Sequence, residues 1–182
     1  TGKKSAVQAP AITAEDVKKV TSGPEMLKPG EVGIGRMIDD VKFRTLDGKE
    51  LSLGSFKDRK GLVIVMTSAT CPVSKRYLPS VARLASELKE QGLGLLLVNA
   101  LGSEKPEDIR SQLAAAGVTA PYVHDTEKKL SLALGARTTT EVFLLDPART
   151  LVYRGALDDQ YGINYNLDAP KHSYLRDALA AL

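Results

Sequence analysis

The sequence predicts an α/β sandwich: a central mixed sheet flanked by helices, with an N-terminal β-hairpin and an N-terminal extension. Three observations carry this. Leu62 to Met66 and Leu93 to Val98 are continuous apolar runs, the mark of strands buried on both faces. Each is followed by an apolar stripe at helical spacing that stops at a glycine. Hairpin signals stand on either side of this alternation. With 182 residues, 43% hydrophobic and 26% charged, the chain suits one soluble domain plus a tail.

Residues 1–31 read as an extension or linker. They are polar, carry Pro10, Pro24 and Pro29, and hold one short helical signal, capped by Thr13 and running to Val20. The chain starts without Met and without an apolar leader, so a processed or trimmed chain is expected. Residues 32–182 read as the folded domain. Gly33-x-Gly35 lacks a phosphate-loop context and reads as a bend. Val41, Phe43 and Thr45 alternate with polar residues, Asp47-Gly48 makes a turn, and Leu51 and Leu53 alternate again. The basic cluster Lys57–Lys60 is a solvated turn.

Strand Leu62–Met66 comes next. Pro72 then opens a helix over Val73–Glu90, striped by Tyr77, Leu78, Val81, Leu84, Ala85 and Leu88, with Gly92 as its stop. Strand Leu93–Val98 follows. Pro106, with Glu107 and Asp108 at the positive end of the dipole, opens the next helix, which ends at Gly117. Tyr122-Val123 is a short strand, and Leu130–Leu134 a short helix ending at Gly135. Val142–Leu145, the turn Asp146-Pro147-Ala148-Arg149 and Leu151–Tyr153 form the second hairpin. A loop with Gly155, Gly162 and Pro170 leads to a final helix, Tyr174–Leu182.

Composition excludes several functions. A net charge of +3, spread evenly, argues against nucleic acid, and the absence of Trp removes a stacking platform. No apolar run approaches a membrane span. A single cysteine excludes an internal disulfide and any zinc site built on several cysteines.

That cysteine has a chemical logic. Cys71-Pro72-Val73-Ser74-Lys75 places a thiol between a buried strand and a Pro-led helix, facing the first free amides. Such a sheet collects its chemistry beyond the carboxyl ends of the parallel strands. Dipole, amides and the nearby Lys75 all favour the thiolate. The alternative is a buried, inert thiol.

The strand Leu62–Met66, the loop Thr67-Ser68-Ala69-Thr70 and the Cys71–Lys75 segment resemble the active-site region of the thioredoxin superfamily. The nearest branch is the redoxins, which include alkyl hydroperoxide reductase/thiol-specific antioxidant proteins and thiol–disulfide oxidoreductases. Glu141–Pro147, Leu151–Gly155 and Leu157-Asp158-Asp159-Gln160-Tyr161 are similar to that branch's later segments. The resemblance covers about residues 32–182. It implies a thioredoxin-like fold with Cys71 as nucleophile, Lys75 as electrostatic support and Ser68, Thr70 and Ser74 as hydrogen-bonding neighbours. It further implies a substrate-gripping surface of Pro72, Thr139 and Thr140. The expected partners are protein or small thiols and disulfides, with peroxides as a further class. Neither a cofactor nor a metal is expected. An extracytoplasmic place, periplasmic or secreted, is the expectation from this branch, with a cytoplasmic one left open because one cysteine fits either compartment.

Three departures qualify the resemblance. The Cys-x-x-Cys pattern ends here in Ser74, so an external thiol must resolve any mixed disulfide or sulfenic acid. The family's cis-proline position holds Thr140, which predicts a trans or altered loop. Peroxiredoxin positions are only partly filled: Ser68 fits, Ile64 replaces a proline, and Arg137 is out of register with the arginine that Thr140 displaces. Asp158 and Asp159 read as solvated turn residues rather than a metal or acid–base pair. Copper held by Cys71 with His124 or His172 belongs to the rival reading, a binding module without turnover.

Overall fold

The computed structural model describes residues 23–182, and the Thr13–Val20 helical signal lies outside them. β1 (Lys42–Arg44) and β2 (Glu50–Ser52) form an antiparallel two-stranded sheet of their own, with Phe43 opposite Leu51. The turn between them uses Gly48 at a φ of +89°, where a side chain would be strained.

The central sheet has the order β5-β4-β3-β6-β7. β3 (Leu62–Met66), β4 (Gly94–Asn99) and β5 (Tyr122–His124) run parallel. β6 (Val142–Leu145) and β7 (Leu151–Gly155) continue it antiparallel. β3, β4 and β6 are buried along their whole length, because both faces are covered. Odd and even residues of β3 go to opposite cores. Val63 and Val65 pack with Tyr77, Leu78 and Leu88 of α1 (Pro72–Glu90), Ile109 of α2 (Pro106–Ala116) and Leu175 of α4 (Tyr174–Ala180). Leu62, Ile64 and Met66 pack with Leu130 and Leu134 of α3 (Lys129–Leu134) and with Ile38, Phe43 and Leu53. Each such side chain contributes about 1.5–3 kcal/mol of burial.

Among the described residues the expected strands and helices are present, with their edges adjusted. β4 begins at Gly94, not Leu93, and runs one residue further to Asn99. Gly155 is the last residue of β7 rather than part of the loop. α4 ends at Ala180. The Gly33–Gly35 bend follows a short 3-10 turn, Pro29–Val32, and both glycines have positive φ. From that bend the chain lies along β7: Gly35 and Leu151 donate to Leu151 and Arg36 carbonyls, and Ile38 donates to Arg149. This covers a sheet edge that would otherwise be open.

Candidate functional site: the Cys71 thiol

Cys71 caps α1 with an extended backbone (φ −74°, ψ 120°), and Pro72 takes the first helical position. It stands just beyond the carboxyl end of β3, half-buried, with a free thiol. Burial pushes that thiol up, but hydrogen bonds outweigh it and hold it below its ordinary value. They come from the Thr139 hydroxyl and from the amides of Ser74 and Val73. Lys75, expected as electrostatic support, is exposed.

Ser74 is buried, and its hydroxyl donates to the Thr139 carbonyl at 2.7 Å. A hydroxyl has one hydrogen, so that hydrogen is not free for the sulfur. The thiolate therefore rests chiefly on two helix amides and Thr139. Thr139 faces the sulfur, while Thr140 lines a tight, largely apolar space of about 10 Å³ with Ser74, Tyr77 and Leu157. Every described peptide bond is trans.

Ser68 bonds the backbone around Cys71 rather than its sulfur, and the Thr70 hydroxyl bonds Ser68 and Glu104. The Cys71 amide donates to Ser68 Oγ at 3.0 Å. Ser68 and Thr70 hydroxyls both donate to Glu104 Oε1, each at 2.6 Å. Glu104, Asn99 and Gln112 were not singled out from sequence, since a glutamate in a polar loop carries no local signal. Gln112 of α2 donates to the Ala69 carbonyl at 2.8 Å.

Opposite, the Thr138–Thr140 loop is tied down by a buried ion pair. Arg154 Nε meets Glu141 Oε1 at 2.6 Å, with both side chains nearly enclosed. Arg154 also donates to the Gly135 carbonyl and lies 5.3 Å from the Phe143 ring centroid. Glu141 accepts the Arg137 amide at 2.7 Å. Arg137 thus contributes its backbone, and its side chain is exposed.

Asp158 and Asp159 are not solvated turn residues. Asp158 accepts the Tyr77 hydroxyl at 2.7 Å. Asp159 is buried and accepts the amides of Lys171 and His172. Both tie the loop after β7, and the Tyr77 link fastens it to α1. His124 is bonded to the Leu101 carbonyl at 2.8 Å, and His172 stacks on Tyr174. Among the described residues no three His, Cys, Asp or Glu side chains converge to hold a metal.

A parallel β3–β4–β5 core, turned antiparallel by β6–β7, with a thiol at the first amides of α1, defines a thioredoxin-fold redoxin. Residues 34–154 match the model of the AhpC/TSA family, and the chain belongs to that family. It is similar to thiol-disulfide oxidoreductase ResA of Halalkalibacterium halodurans, at 23% identity over 137 residues, 74% of this chain and 73% of that protein. The crystal structure of a hypothetical protein from Sinorhizobium meliloti superposes with a TM-score of 0.73 and 26% identity, covering 88% of this chain and 87% of that one. The thioredoxin domain of a thiol-disulfide oxidoreductase from Bacteroides vulgatus shares the fold at a TM-score of 0.57 and 18% identity, covering 66% and 86%.

Proposed function

We propose that the protein is a thiol oxidoreductase in which Cys71 works alone as the nucleophile of thiol–disulfide exchange. The observation that carries this is the half-buried, free Cys71 at the head of α1, where the Thr139 hydroxyl and the first helix amides lower its thiol below the ordinary value. The thiolate attacks one sulfur of a partner disulfide. A Cys71–sulfur bond forms, the partner's own bond breaks, and the other half leaves as a thiolate that takes a proton from water. An external thiolate then attacks the mixed disulfide, frees Cys71 and departs joined to the first half. The electrons come from the external thiols, so Cys71 ends as it began. Pro72 and Thr139 border the sulfur and are the surface a partner meets. Protein or small disulfides, encountered outside the cytoplasm, are the partners this chemistry needs. No helix among the described residues is long and apolar enough to cross a membrane.

Hydroperoxide reduction has less support. Ser68 is committed to Glu104, and Thr140 stands where the resemblance sets an arginine. The test is intact-mass analysis of reduced protein after exposure to glutathione disulfide or to hydrogen peroxide. A single Cys71 adduct with the disulfide, released by added thiol and absent in Cys71→Ala, is expected. No adduct would leave a binding module; oxidation by peroxide alone would favour a peroxidase.

A further inference from the structure

Glu104 lies on the loop between β4 and α2 and is 7% exposed. Among the described residues no lysine, arginine or histidine pairs with it. Five donors converge on it instead. Oε1 accepts the Ser68 hydroxyl at 2.6 Å, the Thr70 hydroxyl at 2.6 Å and the Thr70 amide at 2.9 Å. Oε2 accepts the Ala69 amide at 2.8 Å and Asn99 Nδ2 at 2.6 Å. A carboxylate is acceptor-only, so it matches this set; an amide or a protonated acid would place a donor among donors. Burying a charge is costly without such compensation. Tyr122, whose hydroxyl bonds the same Asn99 amide, is the titratable neighbour beyond this shell.

Four of the five donors belong to the residues immediately before Cys71. Turned by its donation to Glu104, Ser68 Oγ points a lone pair at the Cys71 amide, which donates to it at 3.0 Å. A continuous path therefore runs from the carboxylate through one hydroxyl to the backbone of the thiol residue. We propose that Glu104 is a positioning residue for Cys71, fixing the Ser68–Thr70 loop so that the sulfur meets the Val73 and Ser74 amides. This rests on the reading of Cys71 as the reactive group, and names the group that keeps it so.

The test turns on a sign. A carboxylate acting on the thiol only through its charge disfavours the thiolate, so its removal would lower the thiol midpoint. A carboxylate that positions the loop favours the thiolate, so its removal raises it. Glu104→Gln keeps the size, removes the charge and sets a donor where one of the two acceptor oxygens stood. The midpoint, read from thiolate ultraviolet absorbance against pH, is expected to rise toward the free value of about 8.5. The rate with a small aromatic disulfide, below that midpoint, should fall by up to about tenfold per unit of rise. A midpoint that falls or stays, with circular dichroism unchanged, overturns the proposal. Should Glu104→Gln fail to fold, Ser68→Ala keeps the carboxylate and cuts only its link to Cys71, and the same rise or its absence decides. The titration needs no turnover. Failure of native protein to form a disulfide adduct would therefore sink the exchange reading while leaving this result standing.

Discussion

Ser74 shows how one atom changes the chemistry of a site without disturbing its frame. Its hydroxyl satisfies a carbonyl of the loop opposite the thiol, tying α1 to Thr139. Ser74→Ala leaves that carbonyl without its donor in a dry setting, at a cost of about 1–2 kcal/mol, measurable as a lower urea midpoint at unchanged slope. Glu104 is the other residue whose charge has a stability consequence. Burial pushes its carboxyl up, but the hydrogen bonds from Ser68, Thr70, Ala69 and Asn99 prevail and bring it from 4.5 down to about 2. A depressed acid stabilises the fold fully above its unfolded value and loses that contribution as pH falls through the folded one. Stability should therefore drop between roughly pH 4.5 and 2, by on the order of 2 kcal/mol for this group. Denaturant melts across that range should show a shallower acid loss in Glu104→Gln. An identical acid profile in both proteins would show that Glu104 is not the group responsible.

Among elements, the loop from α3 to β6 is the one that decides whether the site holds together. Gly135 ends α3 at a φ of +70°, and from there to Glu141 the chain makes little regular structure. Arg154 of β7 grips both ends of it, at the Gly135 carbonyl and the Glu141 carboxylate. Glu141→Ala strands a nearly enclosed guanidinium and should cost about 3–5 kcal/mol. The same change should loosen Thr139, so Cys71 should lose thiolate character along with stability. Melting together with a thiol titration separates the two effects, and a stability loss with an unmoved thiol would deny the loop its role. None of this was visible in the chain. Arg154 and Glu141 look like ordinary strand-end charges until β6 and β7 pair and close over them. The strands themselves were legible because β3 and β4 are apolar on both faces, a pattern that needs no partner to be recognised. Their ends were less so: Asn99 extends β4 as a buried polar residue, a choice dictated by Glu104 and Tyr122 rather than by periodicity.

At the scale of the molecule, what sequence revealed and what it withheld divide along contact distance. Cys71, Pro72 and Ser74 are neighbours in the chain, so their place at a helix start follows from local rules. Thr139, Glu104 and Arg154 reach the site only through the folded sheet, and a motif cannot show them. The molecule as assembled has one thiol, so every disulfide it makes is with another molecule. That fixes a stoichiometry. Native protein treated with excess small aromatic disulfide should release one aromatic thiol per chain and stop, as a stable adduct. Ser74→Cys places a second sulfur one helical turn away, on the buried side of α1. Its thiolate can attack the adduct, close a ring and expel the second aromatic thiol. The variant should therefore release two aromatic thiols per chain and end oxidised, free of adduct by intact mass. It should also reduce an insulin-type disulfide when supplied with a dithiol, where the native chain does so poorly. Ser74→Cys must give up the hydrogen bond to Thr139, so its melting point should fall even as its exchange chemistry improves. A native chain that releases two thiols, or that turns over as fast as the variant, would mean that resolution does not need a sulfur at position 74.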